Sequence, residues 1–497
     1  MNNTNRLISS DNKGYAAQMF ERKMDGQRAG QNTFIASFAQ SFEGDVSPNT
    51  AGPRCIDTGL PCDLETSTCN GTPTNCIAFG PGKDMVESTK IIGERQLQKA
   101  LELFNSADEA VAGDIKYVHK YVDMSNYTVN LGNGQTVKTC IPALGYSFAA
   151  GTTDGPGFFA FSQGTETGNP LWDAVRDILK PPTGEMIRCH HPKPIFLATG
   201  LMDYPYPWHP KIIDVQMAKI GQLVIVAVPG EFTTMSGRRL EKAVAKVFSD
   251  AGVQVKVVIA GLSNIYTHYI TTPEEYHRQR YEGASNIFGP NSLPAYIQLF
   301  TELAQAIVND KPVDEGPMPP YMEDNQWSLL PGVVFDGSGT KKFGDVLTPP
   351  KTSYQKGEVV QINFVGANPR NSMGTGLDAF MKVQQQKSSS SNDQQGHVLS
   401  FSARVRSAFD SRRRGQQPQQ AGDDETWTTV FTDAEWETRF WWERESTVLG
   451  TSNVTLQWTI PGDQQSGTYR ICYSGHHKNL VTGINAFSNC APNFQVA

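Results

Sequence analysis

Residues 222–261, QLVIVAVPGEFTTMSGRRLEKAVAKVFSDAGVQVKVVIAG, contain the strongest structural signal in this chain. The continuous apolar run 222–228 predicts a buried strand, and the Pro-Gly pair after it predicts a sharp turn. A helix is expected from the Thr/Ser cap at 234–236 to a glycine stop, followed by a second buried strand over 254–260. The segment therefore predicts a β-loop-α-β unit, in which functional groups lie on loops at the carboxyl ends of the strands.

Outward from this unit, the pattern remains mixed helix and strand as far as residue 310. Apolar spacing predicts a short helix near 15–23, a helix over 83–110 and a helix over 292–308. Residues 115–118 are a strand candidate among Gly/Pro-rich loops. We therefore expect an α/β (α+β) catalytic domain over residues 1–315.

The remainder of the chain has a different pattern. Residues 310–320 are acidic and proline-rich, and we place a linker at 316–330. Short strands then alternate with turns; the strand expected at 468–473 has Tyr469, Ile471 and Tyr473 on one face. We expect a β-sandwich domain over 331–497, interrupted by a disordered surface insert at about 384–424 that is rich in Gln, Ser and charge.

Overall composition limits the possible classes of protein. A chain of 497 residues is too long for one ordinary core, which agrees with two or more domains. The net charge of −7 gives no bulk electrostatic attraction to nucleic acid or to an anionic membrane. No apolar run approaches the roughly 20 residues that a membrane-spanning helix needs. We therefore expect neither a nucleic-acid partner nor a transmembrane segment.

The eight cysteines indicate an oxidising compartment. The first four are spaced seven residues apart in a Gly/Pro/Thr-rich loop, and the C-x2-C pairs typical of zinc ribbons are absent, so disulfides are favoured over zinc. N-glycosylation sequons agree with a secretory route; they lie at Asn2, Asn70, Asn126 and Asn453. Because the first residues do not form a signal peptide, we expect that residues are missing upstream of Met1.

Two single residues could take part in catalysis. Ser47 lies in the loop GDVSPN; on composition alone the loop is a turn, and a serine nucleophile would need a base or a metal to remove its proton. Neither a linear triad nor a G-x-S-x-G motif is present. Glu231 follows the predicted strand 222–228 directly. It is either a metal ligand or general base at the strand end, or an acid favoured by the helix dipole.

Two clusters have the same ambiguity. Six polar-tipped rings follow the second strand, which exceeds what packing needs but is also compatible with an aromatic surface cluster; they are Tyr266, His268, Tyr269, Tyr276, His277 and Tyr281. Further along the chain, Asp433, Glu435 and Thr438 offer oxygen ligands for a hard cation, or form an acidic turn.

Taken together, these segments resemble the neutral/alkaline non-lysosomal ceramidase family. The resemblance covers nearly the whole chain and rests on LISSDNKGYA (7–16), FAQSFEGDVSPN (38–49), RCIDTGLPCD (54–63), VPGEFTT (228–234), GLSNIYTHYITTPEEYHRQRYEGAS (261–285) and DAEWETRFWW (433–442). It implies a zinc-centred catalytic domain followed by an immunoglobulin-like domain. The implied reaction is hydrolysis of the ceramide amide to sphingosine and a fatty acid, with the substrate at a membrane surface or in mixed micelles.

The resemblance also implies a role for individual residues. Ser47 matches the catalytic serine, Glu231 and Tyr269 match zinc ligands, and Tyr281 matches a substrate contact near the amide. Asp433, Glu435 and Thr438 match a calcium or magnesium site, although some family members have a smaller residue at the position of Glu435. The implied disulfides are Cys55–Cys69, Cys62–Cys76 and Cys140–Cys189. We add Cys472–Cys490 because both cysteines lie in the terminal sandwich.

The chain departs from the family pattern at the zinc site. The family's zinc also needs two histidines upstream of the serine loop, whereas the first histidine here is His119. We therefore expect a catalytic domain that is incomplete at its N-terminus and inactive when expressed alone, as an incomplete gene product or a short form of a secreted enzyme. The alternative is a non-enzymatic secreted protein that binds lipid or another partner through the sandwich domain.

Overall fold

The structure is a computed structural model that describes residues 9–132, 134–157, 161–387 and 426–497. Its described residues fall into two compact units, one up to Phe20 and from Ala36 to Trp327, the other Glu21–Ile35 and Ser328–Ala497. The α-helices of the described residues are α1 Asp11–Asp25, α2 Met85–Ser106, α3 Tyr146–Ala149, α4 Pro170–Leu179, α5 Gly184–His190, α6 Thr234–Asp250, α7 Pro273–His277, α8 Tyr281–Ser285 and α9 Ser292–Val308.

The first unit is built from short strands and one central sheet. Its strands are β1 Gly52–Cys55, β2 Cys76–Phe79, β3 Ile115–Asp123, β4 Thr128–Asn130, β5 Thr136–Lys138, β6 Leu144–Gly145, β7 Gly151–Thr152, β8 Gly155–Pro156, β9 Ile195–Leu197, β10 Ile212–Ile220, β11 Leu223–Ala227, β12 Glu231–Phe232, β13 Lys256–Ala260 and β14 Tyr269–Ile270. The central sheet has the order β13-β11-β10-β3, with β11 and β13 parallel and the other pairs antiparallel. Strands β12 and β14 form a separate parallel pair just beyond its carboxyl edge.

Helices α6 and α9 cover one face of this sheet. Strand β10 alternates buried and half-buried residues, as period-two geometry requires for a sheet with one well-covered face. Buried Val224 and Val226 of β11 share a core cluster with Leu240 of α6 and Phe300 of α9. The predicted β-loop-α-β unit is confirmed: β11, α6 and β13 follow one another, and β12 begins at the turn after β11.

The second unit contains two sheets around one core. Its strands are β15 Val346–Thr348, β16 Ser353–Tyr354, β17 Val359–Gly366, β18 Met381–Gln386, β19 Trp427–Thr432, β20 Thr438–Arg444, β21 Ser452–Thr459, β22 Gly467–Asn479, β23 Gly483–Cys490 and β24 Phe494–Val496. One sheet is β15-β17-β21-β20; the other is β16-β24-β22-β18-β19, with β23 paired to β22. Buried side chains of both sheets form a single cluster, which makes the unit a β-sandwich.

Several predicted elements are confirmed, and two are corrected. Helix α9 covers 292–308 as expected, and Tyr469, Ile471 and Tyr473 are all buried on one face of β22. The strand predicted to be buried over 254–260 is instead an edge strand that begins at Lys256, and Val258 is exposed. Apolar runs do not distinguish an edge strand from a central one, because both can be rich in valine.

The insert predicted over 384–424 also begins later than expected. Residues 384–386 belong to β18, where Gln384 is buried and pairs with Arg470 of β22 and Thr429 of β19. Glutamine is polar enough to suggest a loop, yet its amide finds hydrogen-bond partners inside the sheet. Residues 388–425, which contain the rest of the predicted insert, lie outside the described residues.

Four disulfides hold the loops together, and each joins a pair proposed from the sequence: Cys55–Cys69, Cys62–Cys76, Cys140–Cys189 and Cys472–Cys490. The first two connect the evenly spaced cysteines around strands β1 and β2. Among the described parts of the chain, no helix is both long enough and apolar enough to span a bilayer.

Candidate active site

The loop that carries Ser47 is fixed to the turn after β11. The Gly44 N–H donates to the Phe232 carbonyl at 2.9 Å, and a Cβ on Gly44 would lie 2.8 Å from the Glu231 carbonyl oxygen. The next residue, Asp45, accepts hydrogen bonds from both the N–H and the hydroxyl of Thr234, the first residue of α6. Gly44 and Asp45 therefore anchor the loop to the backbone next to Glu231. Ser47 follows Gly44 by three residues.

The Ser47 side chain has a carboxylate partner that the sequence analysis did not find. Its hydroxyl donates to Asp154 Oδ1 at 2.7 Å, and the Asn49 side-chain amide donates to the same oxygen at 2.7 Å. The Asn49 N–H also donates to Ser47 Oγ at 3.0 Å. Asp154 lies in the turn between β7 and β8, more than 100 residues from the serine, and no local motif marks it. The serine is exposed, so an approaching group can reach its hydroxyl.

Glu231 and Tyr269 are brought together by backbone pairing. They are register partners in the parallel pair of β12 and β14. The Glu231 N–H donates to the His268 carbonyl at 2.8 Å. A Cβ on Gly230 would lie 2.6 Å from the same carbonyl oxygen, so the Pro-Gly turn needs glycine for this close approach. Glu231 and Tyr269, which the sequence placed after two different strands, thus lie side by side at one edge of the sheet.

Further aromatic rings surround the pair. The Tyr266 hydroxyl donates to Glu231 Oε1 at 2.6 Å. The ring of Tyr281 lies 5.3 Å from that of Tyr269, centroid to centroid, and Phe148 of α3 stacks on Tyr281 at 5.9 Å. The structure therefore groups Glu231, Tyr269 and Tyr281, with Tyr266 as an additional member.

The remaining predicted rings have other roles. Tyr276 is fully buried, and its hydroxyl donates to the His190 carbonyl at 2.8 Å, so it belongs to the core. His277 is exposed. Arg280, beside Tyr281, donates to the Leu64 carbonyl at 2.6 Å and thereby holds the disulfide-bonded loop next to the site.

The site is rich in anionic and phenolic groups. Both carboxylate oxygens of Glu43 are buried, and neither has a hydrogen-bond partner among the described residues. Burial, and then the nearby Glu231, raises the pKa of Glu43 to about 7. Burial also raises the pKa of Tyr266, Tyr269 and Tyr281, and the Glu231 carboxylate raises the pKa of each further. These phenols remain protonated unless a cation is present.

A pair of half-buried histidines supports the strand-end loop: His268, one of the rings named from the sequence, and His209, which the sequence did not single out. His209 Nε2 lies 2.9 Å from His268 Nε2, and Thr199 Oγ1 lies 2.7 Å from His209 Nδ1. Burial, and then the neighbouring His268, lowers the pKa of His209 to about 3. Burial, followed by the buried ammonium of Lys193, lowers the pKa of His268 to about 4. Both imidazoles are therefore neutral, and one must donate to the other.

Asp433, Glu435 and Thr438 lie in the sandwich unit and form a hydrogen-bonded turn. Glu435 Oε2 accepts from the Thr432 N–H at 2.6 Å and from its hydroxyl at 2.8 Å. The Thr438 hydroxyl donates to the carbonyls of Thr432 and Glu435. Burial raises the pKa of Asp433, with Glu435 a smaller contribution in the same direction. Asp433 is half-buried and accepts a hydrogen bond from the Phe380 N–H at 3.2 Å, so most of the donor oxygens are already used within the protein.

Among the described residues, the sulfur atoms of Cys55, Cys62 and Cys69 lie close enough to suggest a metal cluster. All three are in disulfides, so they offer no thiolate. The cysteine loop is therefore a disulfide-stapled support for the site, as the sequence favoured.

Sequence comparisons agree with this arrangement. The sequence model of the neutral/alkaline non-lysosomal ceramidase N-terminal domain matches residues 1–298, and that of the C-terminal domain matches 300–400 and 416–496. The chain is 42% identical to the neutral ceramidase of Drosophila melanogaster and covers 67% of it. It is 44% identical to neutral ceramidase B of Dictyostelium discoideum over 507 residues, 65% of that protein. The chain thus spans about two thirds of the length of these relatives.

Solved structures show the same likeness. A ceramidase complexed with C2 superposes with a TM-score of 0.77 at 32% identity, and the neutral ceramidase from Pseudomonas aeruginosa with 0.74 at 30%. All of this chain is covered, as are 68% and 67% of those chains. Fold and sequence together define a hydrolase with a mixed α/β unit followed by a β-sandwich. The chain belongs to the neutral/alkaline non-lysosomal ceramidase family.

Proposed function

We propose that this site hydrolyses the amide bond of ceramide to sphingosine and a free fatty acid, with a zinc ion and an essential serine. One observation carries the proposal: Glu231 and Tyr269 are paired in register, with Tyr281 beside them, and the loop of Ser47 is fixed to the backbone of Glu231. This arrangement supports a site in which the Ser47 hydroxyl, the Glu231 carboxylate and the phenols act on one bound amide.

The donor set fits a divalent cation. Glu231 and Glu43 bring two carboxylates close together, and the oxygens of Glu43 are buried without hydrogen-bond partners among the described residues. Such an excess of negative charge in a partly buried site costs free energy unless a cation compensates for it. Glu231 and Tyr269 would hold the zinc. When bound, the ion would polarise the amide carbonyl or lower the pKa of a water toward 7.

The protein's own groups supply the remaining steps. Ser47, with its proton held by Asp154 Oδ1 at 2.7 Å, is positioned to act on the amide carbonyl. Tyr281 keeps its proton because burial raises its pKa, so it can donate a hydrogen bond to the amide. The sphingosine nitrogen must be protonated to depart, and the proton that Ser47 gives up to Asp154 would be transferred to it.

We further propose that zinc binding and turnover need two histidine ligands in addition to Glu231 and Tyr269. The resemblance implies both, and no histidine precedes Ser47 in this sequence. Two oxygen ligands alone bind zinc weakly, because a catalytic zinc site usually has three protein ligands. The four disulfides support the proposal that the protein lies in an oxidising, secretory compartment. Separately, we propose that a calcium or magnesium ion binds near Asp433.

The test compares the chain alone with a fusion to the part of the Drosophila melanogaster relative that it does not match. Release of fatty acid from a labelled ceramide is measured with both proteins. We expect turnover by the fusion and none by the chain alone. Ser47→Ala, Glu231→Gln and a zinc chelator should each abolish turnover in the fusion. An active fusion that tolerates Ser47→Ala would refute the role of the serine, and an inactive, folded fusion would refute the proposed reaction.

A further inference from the structure

Helix α4 exposes its apolar side to solvent. Four of its aliphatic side chains are exposed, namely Leu171 (68%), Val175 (39%), Ile178 (85%) and Leu179 (55%). None of its ten residues is buried. A helix in a globular protein normally turns such a stripe towards the core, because exposed aliphatic surface costs free energy.

The four side chains form one continuous stripe. At 100° per residue, Ile178, Leu171, Val175 and Leu179 occupy an arc of about 100° on the helix surface. Trp172 lies at the border of this arc and packs inward, with its ring 5.3 Å from that of Phe161. The helix is therefore attached to the protein along one side and open along the adjacent apolar side.

The polar side of α4 is satisfied within the protein. Asp173 accepts a hydrogen bond from the Tyr146 hydroxyl at 2.7 Å and pairs with Arg176 at 2.7 Å. Arg176 also pairs with Asp177 and donates to the Ile195 carbonyl at 2.8 Å. Lys180 follows the stripe, is exposed, and has no ion pair among the described residues. The open surface of α4 thus offers aliphatic groups and the Lys180 ammonium. Both carboxylates of the helix, Asp173 and Asp177, are already paired with Arg176.

Helix α4 is linked to the candidate active site through α3. Tyr146, at the start of α3, binds Asp173 of α4, and Phe148, two residues later, stacks on Tyr281. The two contacts leave different sides of α3, because residues two apart in a helix do not face each other. One short helix thus contacts both α4 and the ring of Tyr281.

We propose that α4 is an interfacial helix that inserts Leu171, Val175, Ile178 and Leu179 into the apolar layer of a lipid surface. The choice of a lipid as the occupant rests on the proposed function, since ceramide is itself a membrane lipid. The aliphatic stripe would lie at the level of the acyl chains, and the Lys180 ammonium at the level of the lipid phosphates. The lipid surface would then deliver substrate along the α3 side of the site.

Vesicle binding tests this proposal without any need for turnover. The full chain is sedimented with phosphatidylcholine vesicles as wild type and as Leu171→Asp/Ile178→Asp. The double variant should partition at least about tenfold more weakly, because two aliphatic side chains no longer enter the lipid. The matched control is Leu103→Asp/Ile115→Asp, which adds the same charge at residues that are 56% and 76% exposed elsewhere in the same unit. It should bind as wild type does.

A second measurement locates the contact. All eight cysteines are in disulfides, so Ile178→Cys adds a single free thiol for an environment-sensitive fluorophore. Its emission should rise and shift to the blue with vesicles, whereas that of labelled Leu103→Cys should not. Equal vesicle binding by wild type and the α4 variant, or an unresponsive label at 178, would overturn the proposal. A wild-type dimer that the α4 variant converts to a monomer would instead identify a second copy as the occupant. Vesicle binding without turnover in the fusion would refute the proposed reaction alone.

Discussion

Glu231 and Tyr269 are register partners in a two-stranded parallel ladder at the carboxyl edge of the central sheet. Main-chain hydrogen bonds on either side of the pair fix its position, with the Glu231 N–H bound to His268 at 2.8 Å and the Thr233 N–H bound to Ile270 at 3.0 Å. The positions of the two side chains therefore depend on the backbone, and substitutions at either residue should change chemistry more than fold.

The first prediction concerns zinc affinity. Tyr269→Phe removes only the phenol oxygen, so zinc should bind at least about tenfold more weakly to the active fusion, as measured by calorimetry. Tyr204→Phe, at a tyrosine that is 78% exposed, is the matched control and should leave affinity unchanged. An equal affinity in wild type and Tyr269→Phe would show that Tyr269 is not a ligand.

The second prediction concerns the contact between the serine loop and Glu231. Gly44→Ala would place a Cβ 2.8 Å from a carbonyl oxygen of the backbone, which cannot move aside as a flexible side chain can. We expect a loss of about 1–3 kcal/mol in the free energy of unfolding. Urea denaturation measures this loss. Gly462→Ala, where the added Cβ meets no atom within 4 Å, should cost nothing; a similar cost in both variants would contradict the explanation.

The third prediction concerns pH. The folded state raises the pKa of Glu43 from 4.5 to about 7, so the folded protein binds this proton more tightly than the unfolded chain does. The stabilising contribution of protonation is complete below 4.5 and is lost as the pH rises to about 7. In metal-free protein, Glu43→Gln should therefore raise stability at pH 8 by about 1–2 kcal/mol, a value discounted because the side chain is only half-buried.

Urea denaturation at pH 5 and pH 8 measures this difference, which should be smaller at the lower pH. Glu166→Gln, at an exposed glutamate of the same unit, is the control. Its effect on the free energy of unfolding should be the same at both pH values. A gain for Glu43→Gln that is the same at both pH values would exclude titration of this carboxyl as the cause.

The fourth prediction concerns the partner of the serine. Asp154→Asn keeps the size of the side chain but removes the charge that holds the Ser47 proton. In the active fusion, kcat should fall by about a hundredfold while KM changes little, because the loss affects proton transfer more than binding. Asn49→Ala, which removes only the neighbouring donor to the same oxygen, should have a much smaller effect. Equal losses in the two variants would show that Asp154 only shapes the loop.

The fifth prediction concerns the second cation. Calcium at about 5 mM should raise the melting temperature of the wild-type chain if Asp433 is a ligand, because extracellular sites bind calcium in the millimolar range. Asp433→Asn should remove this response and raise the calcium-free melting temperature, since it removes a half-buried carboxylate that lies near Glu435. A calcium response that survives Asp433→Asn would place the ion elsewhere.

The amino-acid sequence was sufficient for elements with a long, regular pattern. Helix α9 and the β11–α6–β13 unit follow from apolar spacing, a cap and a glycine stop, which are all local. Strand β13 was correctly located but wrongly expected to be buried, because its neighbours, and not its own residues, make it an edge strand. Gln384 was expected in a loop for a similar reason, since only the sheet provides partners for its amide.

For the site, the sequence by itself determined which residues could react: Ser47 in its loop, Glu231 at a strand end and the rings around Tyr269. These residues stand out because their chemistry is visible in short segments. Only the tertiary structure decided that Glu231 and Tyr269 are register partners, that Asp154 holds the serine hydroxyl, and that the α4 stripe faces solvent. Contacts between distant segments depend on chain packing, and neither composition nor periodicity contains that information.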